Sequence, residues 1–413
     1  MQFFSLYDLL FHRAAELKQS PDDVFAFFKL RKITKKKLNA LQNTPFIPDD
    51  KVLMDAVQEF LGMNMLEIRL AMGNVPPEYR QSYFSHIKEI ASMLKETEQP
   101  EQTPIQPFFT NDMGMLYNED CIKVMQQMEP DSVDLIFADP PFNLGKEYDP
   151  VFKDEVSMSE YLNWTYHWLD ECIRILKPGG RIFVYNLPKW CVYIAEYLQR
   201  SLTFWSWIAV DMKMSLPIHN RLYPAHYALV SFIKGDKGTF HNQRIPLQTC
   251  RHCGGEIKDY GGYKGKMNPQ GVNVSDVWAD IYPVRHKNTK NRKYNELSVK
   301  LLDRIISMAS DEGDIVFDPF GGSGTTFAVA QLLGRRWVGS EIGDCTVIQN
   351  RLENQAQDIE QLKRVKEESG VLFTKKALEL RRNNGFWVTE CEAPDFKVGA
   401  IDQISLTEQD NNL

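Results

Sequence analysis

Two short segments hold the residue types suited to chemistry. The first is Asp139-Pro140-Pro141-Phe142, which follows Val133-Asp134-Leu135-Ile136-Phe137-Ala138, an apolar run of strand length. A carboxylate, two prolines and an aromatic at the end of a strand suit the holding of a flat aromatic amine. The Asp139 carboxylate can accept a hydrogen bond from an NH2 group. Neither proline carries an N–H, so the stiff backbone there offers only carbonyl acceptors. The Phe142 ring supplies a stacking face. An Asp-Pro-Pro turn that simply ends a strand fits the same four residues.

The second segment reads Asp314-Ile315-Val316-Phe317-Asp318-Pro319-Phe320-Gly321-Gly322-Ser323-Gly324-Thr325-Thr326-Phe327. A β-rich run enters a glycine-dense turn, a helical pattern spans Thr325 to Leu333, and Trp337-Val338-Gly339-Ser340-Glu341 forms a further strand ending in an acid. Glycines let the backbone approach a ligand closely, and an acid after the second strand can take a ribose hydroxyl pair. No Gly-Lys-Ser/Thr follows the turn, which excludes a phosphate loop. Phe327 at the third glycine position disfavours a dinucleotide, so a nucleoside ligand without pyrophosphate fits better.

Together these segments resemble the amino-group DNA methyltransferases that use S-adenosylmethionine, over roughly residues 112–350. The catalytic tetrapeptide precedes the cofactor loop, an order similar to the permuted beta group of that family. The resemblance implies an α/β fold: a doubly wound, mostly parallel Rossmann-like methyltransferase sheet, with an N-terminal helical domain and an inserted target-recognition region. It assigns Asp139, Pro140, Pro141 and Phe142 to catalysis. It assigns Asp120, Asp318, Phe320, Gly322, Gly324, Thr325 and Glu341 to S-adenosylmethionine, and no metal. Asp120 also fits as the N-cap of the helix it precedes. Asn143 can line the same cavity. Asn220, Arg221 and His226 stand where the family often places DNA- or base-contacting residues, and ordinary packing accounts for them equally. Ser275-Asp276-Val277-Trp278 matches a structural segment. The chain departs from the family at Asn291-Arg292-Lys293-Tyr294-Asn295-Glu296-Leu297, where many relatives carry His-Pro-Thr-Gln-Lys-Pro beside the cofactor.

The implied chemistry is methylation of an exocyclic amine in duplex DNA after the base rotates out of the stack. An Asp opening the tetrapeptide favours adenine N6; relatives that act on cytosine N4 more often have Ser there. Methylation of structured RNA and a catalytically silent nucleic-acid-binding subunit are the rival expectations. The expected partners are duplex DNA, a companion restriction endonuclease and a second copy of the chain, with no membrane. A solitary epigenetic mark is the alternative setting.

The elements that must position these residues read as follows. Residues 1–96 form a helical pattern, with Leu6, Leu9, Leu10, Ala14 and Leu17 on one stripe, a second helix opened by Pro21, and a third carrying Val52, Leu53, Val57, Phe60 and Leu61 before Gly62. A helix-turn-helix touching phosphates through Lys29–Lys37 and a dimerisation domain both fit. Residues 97–111, with three prolines, form a linker. The catalytic half of the core is expected over 112–233. Its strands are expected at Met115–Tyr117, Val133–Ala138, Arg181–Tyr185, Trp205–Val210 and Tyr227–Ile233, with helices at Asp120–Met128 and Met158–Ile175 and a turn over Leu176–Gly180. Residues 234–292 break this rhythm and form the expected recognition insert. The cofactor half spans 293–368, with helices over 295–308 and 346–366, and 369–413 is a C-terminal extension with a fraying end.

Bulk properties agree with a cytoplasmic enzyme. The 413 residues allow two or three domains. No apolar stretch of about 18 residues occurs, and the N-terminus lacks a signal-peptide pattern. Seven dispersed cysteines suggest reduced thiols. The net charge of −7 conceals a basic segment: Met212 to Lys300 holds 15 Lys/Arg against 6 Asp/Glu. A DNA-facing module and a solvated basic face both fit that excess. Cys250-Arg251-His252-Cys253 is half a zinc site and lacks a well-spaced second pair.

Overall fold

The computed structural model describes residues 5–43, 47–73, 103–143, 147–149, 152–153, 156–212, 219–220, 222–255, 259, 261–282 and 296–389, with isolated positions between 79 and 93. Two compact units result: residues 1–103 with 143–167, and 104–142 with 168–413. Most of the expected helical stretch beyond residue 73, the 97–102 part of the linker, Arg221, the 291–295 departure and the expected fraying end lie outside the described residues.

The first unit contains helices α1 (Leu6–Glu16), α2 (Pro21–Leu30), α3 (Lys35–Asn39), α4 (Lys51–Leu61) and α5 (Met65–Ala71). Leu6, Leu10, Val24, Phe28, Leu53, Val57 and Ile68 close over one core. Local signals fix the helix ends. Ser20 and Asp23 form a reciprocal capping box, as do Asn64 and Glu67, and left-handed Gly62 ends α4. The 143–167 segment joins these helices. Asp8 on α1 accepts the Ser159 N–H at 3.1 Å and the Ser159 hydroxyl at 2.5 Å, which places a carboxylate at the N-terminal turn of another helix.

The second unit is built on a nine-stranded sheet. Its strands are β1 (Phe109–Asn111), β2 (Gly114–Tyr117), β3 (Val133–Ala138), β4 (Leu176–Asn186), β5 (Thr203–Asp211), β6 (His226–Ile233), β7 (Val277–Trp278), β8 (Ile315–Asp318) and β9 (Arg336–Ser340). The order is β1-β2-β9-β8-β3-β4-β6-β5-β7. The run β2-β9-β8-β3-β4 is parallel throughout, β7 is parallel to β5, and β6 is antiparallel to both its neighbours. Leu135, Ile136, Phe137 and Ala138 are all fully buried. Successive strand residues face opposite ways, so both faces of the sheet are covered, as a parallel sheet requires. The helices are α6 (Cys121–Gln126), α7 (Met158–Ile175, which crosses the division between the units), α8 (Pro188–Leu198), α9 (Val299–Ala309), α10 (Thr325–Leu332), α11 (Thr346–Glu353), α12 (Ala356–Glu368) and α13 (Lys375–Asn383). The chain is thus a mostly parallel α/β fold with a helical N-terminal region.

Several elements differ from the sequence expectation. Residues 176–180 are not a turn: β4 starts at Leu176, because Gly179 and Gly180 pair with the backbone of Lys234. The Lys234 ammonium also reaches the carbonyls of Ile173 and Leu176, at the end of α7 and the start of β4. The expected 346–366 helix is two helices, since Asn354 leaves helical geometry at φ −127°, ψ 69°. The helix expected from 295 begins at Val299. Helices α8 and α13 were not anticipated.

Candidate active site

Because β2, β9, β8, β3 and β4 are parallel, their C-terminal ends share one edge of the sheet, the place where open α/β sheets bind ligands. The chain leaving β3 is Asp139–Phe142, and β8 runs into the glycine turn with Asp318 as its last residue. Glu341 follows β9, and Asn118 to Asp120 follow β2. Strands β3 and β8 are direct neighbours, with Phe317 beside Ile136. Segments some 180 residues apart in sequence thereby lie side by side.

The glycine turn is held by its own acids. Asp318 accepts the Phe320 N–H at 2.9 Å and the Thr326 hydroxyl at 2.6 Å. Glu341 uses one carboxylate oxygen for the Gly322 N–H and the other for the Gly343 N–H, both at 2.7 Å. A carboxylate oxygen can accept more than one hydrogen bond. Gly324 has φ +79°, and a Cβ there would stand 2.9 Å from the Ile348 side chain, so the start of α10 requires glycine. Phe320 meets Trp168 edge to face at 5.3 Å. Thr325 is buried and accepts a hydrogen bond from Arg351 at 2.9 Å. Asp120 caps α6, with its carboxylate accepting the Ile122 N–H at 2.9 Å.

Electrostatics set this edge apart. Burial, and then the charge of Asp318, raise the Asp139 carboxyl well above the usual range. Asp139 keeps some solvent access, but its carboxyl is surrounded by protein. Asp318 is pushed up to about 7, first by burial and further by Glu341, against the pull of its two hydrogen bonds. Asp318 thus disfavours the charge of Asp139, and Glu341 that of Asp318, and a cation at this edge relieves that repulsion.

The tetrapeptide is braced by residues that local sequence did not flag. The Phe142 carbonyl accepts the Trp190 indole N–H at 2.8 Å. The Phe142 ring is 9% exposed and packs against Tyr227 at 5.7 Å and Tyr185 at 6.4 Å. Most of the stacking face expected of it is thus covered, and the two tyrosines are the aromatic neighbours of Asp139, whose charge raises both their pKa values in addition to burial. Asn118 binds the carbonyls of Glu341 and Gly343 at 2.8 and 2.9 Å. Arg351 ties Ser323 and Thr325 to Asp358. An Asn after a strand and an Arg within a helix carry no local signal, because their partners come from other strands and turns.

Of the remaining candidates, His226 begins antiparallel β6 and so lies at the same edge as the C-terminal end of β4. In the first unit, Asn143 bonds both the N–H and the carbonyl of Val156 at 3.0 Å and so closes a loop. Asn220 is exposed at φ +58°, and His226 opens β6 opposite Asp211. Trp278 is buried, as a structural segment should be. Among the described residues, no group of three His, Cys, Asp or Glu is placed to hold a metal ion.

Residues 133–349 match the family model N6_N4_Mtase, described as DNA methylase. The chain is 52% identical to the type II methyltransferase M.BamHI of Bacillus amyloliquefaciens, over 94% of each protein. It is 35% identical to the type II methyltransferase M.HpaI of Haemophilus parainfluenzae, over 54% of this chain and 68% of that one. It is 30% identical to the DNA adenine methyltransferase YhdJ of Escherichia coli K12, over 57% and 80%. Among solved structures, PvuII DNA methyltransferase (cytosine-N4-specific) aligns at 18% identity with a TM-score of 0.41, over 63% of this chain and 95% of that one. An α/β sheet with a braced acid beside a glycine turn at the carboxyl ends of its strands has the layout of a nucleotide-cofactor enzyme. The chain belongs to the N6/N4 DNA methylase family and is a site-specific DNA methyltransferase. Among the described residues, no helix is long and apolar enough to cross a membrane.

Proposed function

We propose that this enzyme moves a methyl group from S-adenosylmethionine to the exocyclic amine of a base rotated out of duplex DNA. The observation that carries the reading is that Asp139, just beyond β3, and Asp318, the last residue of the adjacent strand β8, both have raised pKa values, Asp139 partly through the charge of Asp318. Such an edge suits a cationic nucleoside cofactor: Glu341 for ribose hydroxyls, the Phe320–Gly324 turn for close backbone approach, and Asp120 on the adenine side. When bound, S-adenosylmethionine supplies an electrophilic methyl on a sulfonium.

The protein's own contribution is orientation and charge. An aromatic amine is a weak nucleophile because its lone pair is shared with the ring. Asp139 and the Pro140 carbonyl each accept one amine N–H, which turns the lone pair toward the methyl. Positive charge grows on nitrogen during transfer, and a fixed carboxylate stabilises that charge more than it does the ground state. Trp190 and Pro141 hold the backbone that presents these acceptors.

Adenine N6 and cytosine N4 present the same pair of in-plane N–H bonds, so this geometry serves either base. The Asp at 139 favours adenine by residue type. The basic 234–292 segment is the target-recognition part, and the setting is a cytoplasmic modification enzyme that protects DNA from a companion endonuclease. Incubation with labelled cofactor and duplex DNA, followed by nucleoside mass spectrometry, tests all of this. N6-methyladenine is expected, N4-methylcytosine reassigns the amine, and label on RNA alone overturns the DNA reading.

A further inference from the structure

The C-terminal helix α13 brings a buried cation to the basic insert. Arg381 is 0% exposed, and its guanidinium donates to the Gly254 carbonyl at 2.8 Å, to the Gly255 carbonyl, and twice to the Trp387 carbonyl at 2.9 and 2.7 Å. Phe373 lies under it at 4.8 Å. A buried guanidinium is costly unless its fork is filled, and here the Trp387 carbonyl fills one side and carbonyls of the turn that follows Cys253 fill the other. That turn is shaped for the purpose. Gly254 has φ +76°, and a Cβ there would stand 2.6 Å from the Arg381 side chain. Asn384 adds a bond to the Cys253 carbonyl at 3.4 Å. Nearby, Leu372 exchanges backbone bonds with Leu247 and Pro269, at 2.9 and 2.7 Å. Residues 372–387 thus support Leu247, the Cys253–Gly255 turn and Pro269.

What those loops expose is basic and aromatic. Arg251 stands at the exposed tip of the Cys250–Cys253 turn, its guanidinium against Tyr282. Tyr263 is 68% exposed, with the Lys266 ammonium 5.7 Å from its ring, and Lys264 lies at the same distance from Trp387. Cations interleaved with aromatic faces suit a phosphate backbone and the edges of bases.

We propose that residues 371–387 form one DNA-reading module with residues 247–255 and 261–271, in which Arg381 is the positioning residue and Arg251 the contact to duplex DNA. The proposal rests on the DNA-methylating reading and names the surface that recognises the substrate. Arg381 acts only through the turn, so its loss moves recognition and leaves the cofactor edge alone.

The test uses the full chain and the duplex that the wild-type enzyme methylates. Arg381→Lys keeps the charge but not the fork. It is expected to raise KM for that duplex at least tenfold, with kcat and S-adenosylmethionine affinity within about twofold. Arg251→Ala, at an exposed tip where folding is not at risk, is expected to lose at least tenfold in discrimination against a duplex with one base pair changed, and to flatten the salt dependence of binding. KM and discrimination within twofold of wild type in both variants overturn the module. If Arg381→Lys is insoluble, Arg251→Ala alone decides by the same limits. A wild-type enzyme that methylates no DNA defeats the proposed function instead, and so separates the two failures.

Discussion

Asp318→Asn probes whether the acidic edge controls the ionisation of Asp139. Asp318 is buried, and burial foremost, with the Glu341 charge behind it, holds its pKa at about 7. An unfolded Asp titrates near ~3.9. The native state therefore holds this proton more tightly than the unfolded chain does. Its contribution is fully present below about pH 4 and is lost as pH rises to about 7. A gap of about 3 units corresponds to about 4 kcal/mol, an upper limit for one buried group. Asparagine has nearly the same shape. Its oxygen still accepts the Phe320 N–H, and the Thr326 hydroxyl can turn to accept from the amide. Urea titrations between roughly pH 5 and 8 should show wild-type stability falling with pH, and the variant falling by some 2–3 kcal/mol less. The low-pH limb of kcat/KM, which reports the free enzyme's Asp139, should move to lower pH once the neighbouring charge is gone. An unchanged stability slope together with an unmoved limb would refute the coupling.

Asp139→Ala should fold and bind cofactor normally but transfer methyl about 10³-fold more slowly, the scale of losing a charge placed for the transition state; turnover near wild type contradicts its role. Glu341→Ala removes the acceptor of two backbone N–H groups and of the ribose hydroxyls, so calorimetry should show cofactor affinity about 100-fold weaker, or about 3 kcal/mol. A loss under threefold would detach Glu341 from the cofactor. Phe142→Ala should destabilise the protein by about 3–5 kcal/mol in chemical denaturation, because the ring packs against Tyr185 and Tyr227. A stable variant with only weakened DNA binding would restore the ring to base stacking.

The two chemical segments were legible because each is local. A strand followed by Asp139-Pro140-Pro141-Phe142, and a strand, glycine turn and helix ending near Glu341, carry their chemistry in adjacent residues. The helical pattern of the first 70 residues was legible for the same reason, its apolar residues recurring within a few positions of one another. The identity of the target amine was not, because both bases offer the same hydrogens to Asp139.

Sequence alone determined the strands, the caps and the glycine turn, since backbone preference and hydrophobic period act over a few residues. Only the tertiary structure decided that β8 inserts between β9 and β3, which buries Asp318 and Asp139 and sets Glu341 near the first and Asp318 near the second, raising both pKa values. It also decided that Trp190 braces Phe142, that Arg381 supports Gly254, and that 176–180 continues a strand. Each depends on groups dozens to hundreds of residues apart. Burial and Coulomb energy follow distance in space, which no local spacing encodes.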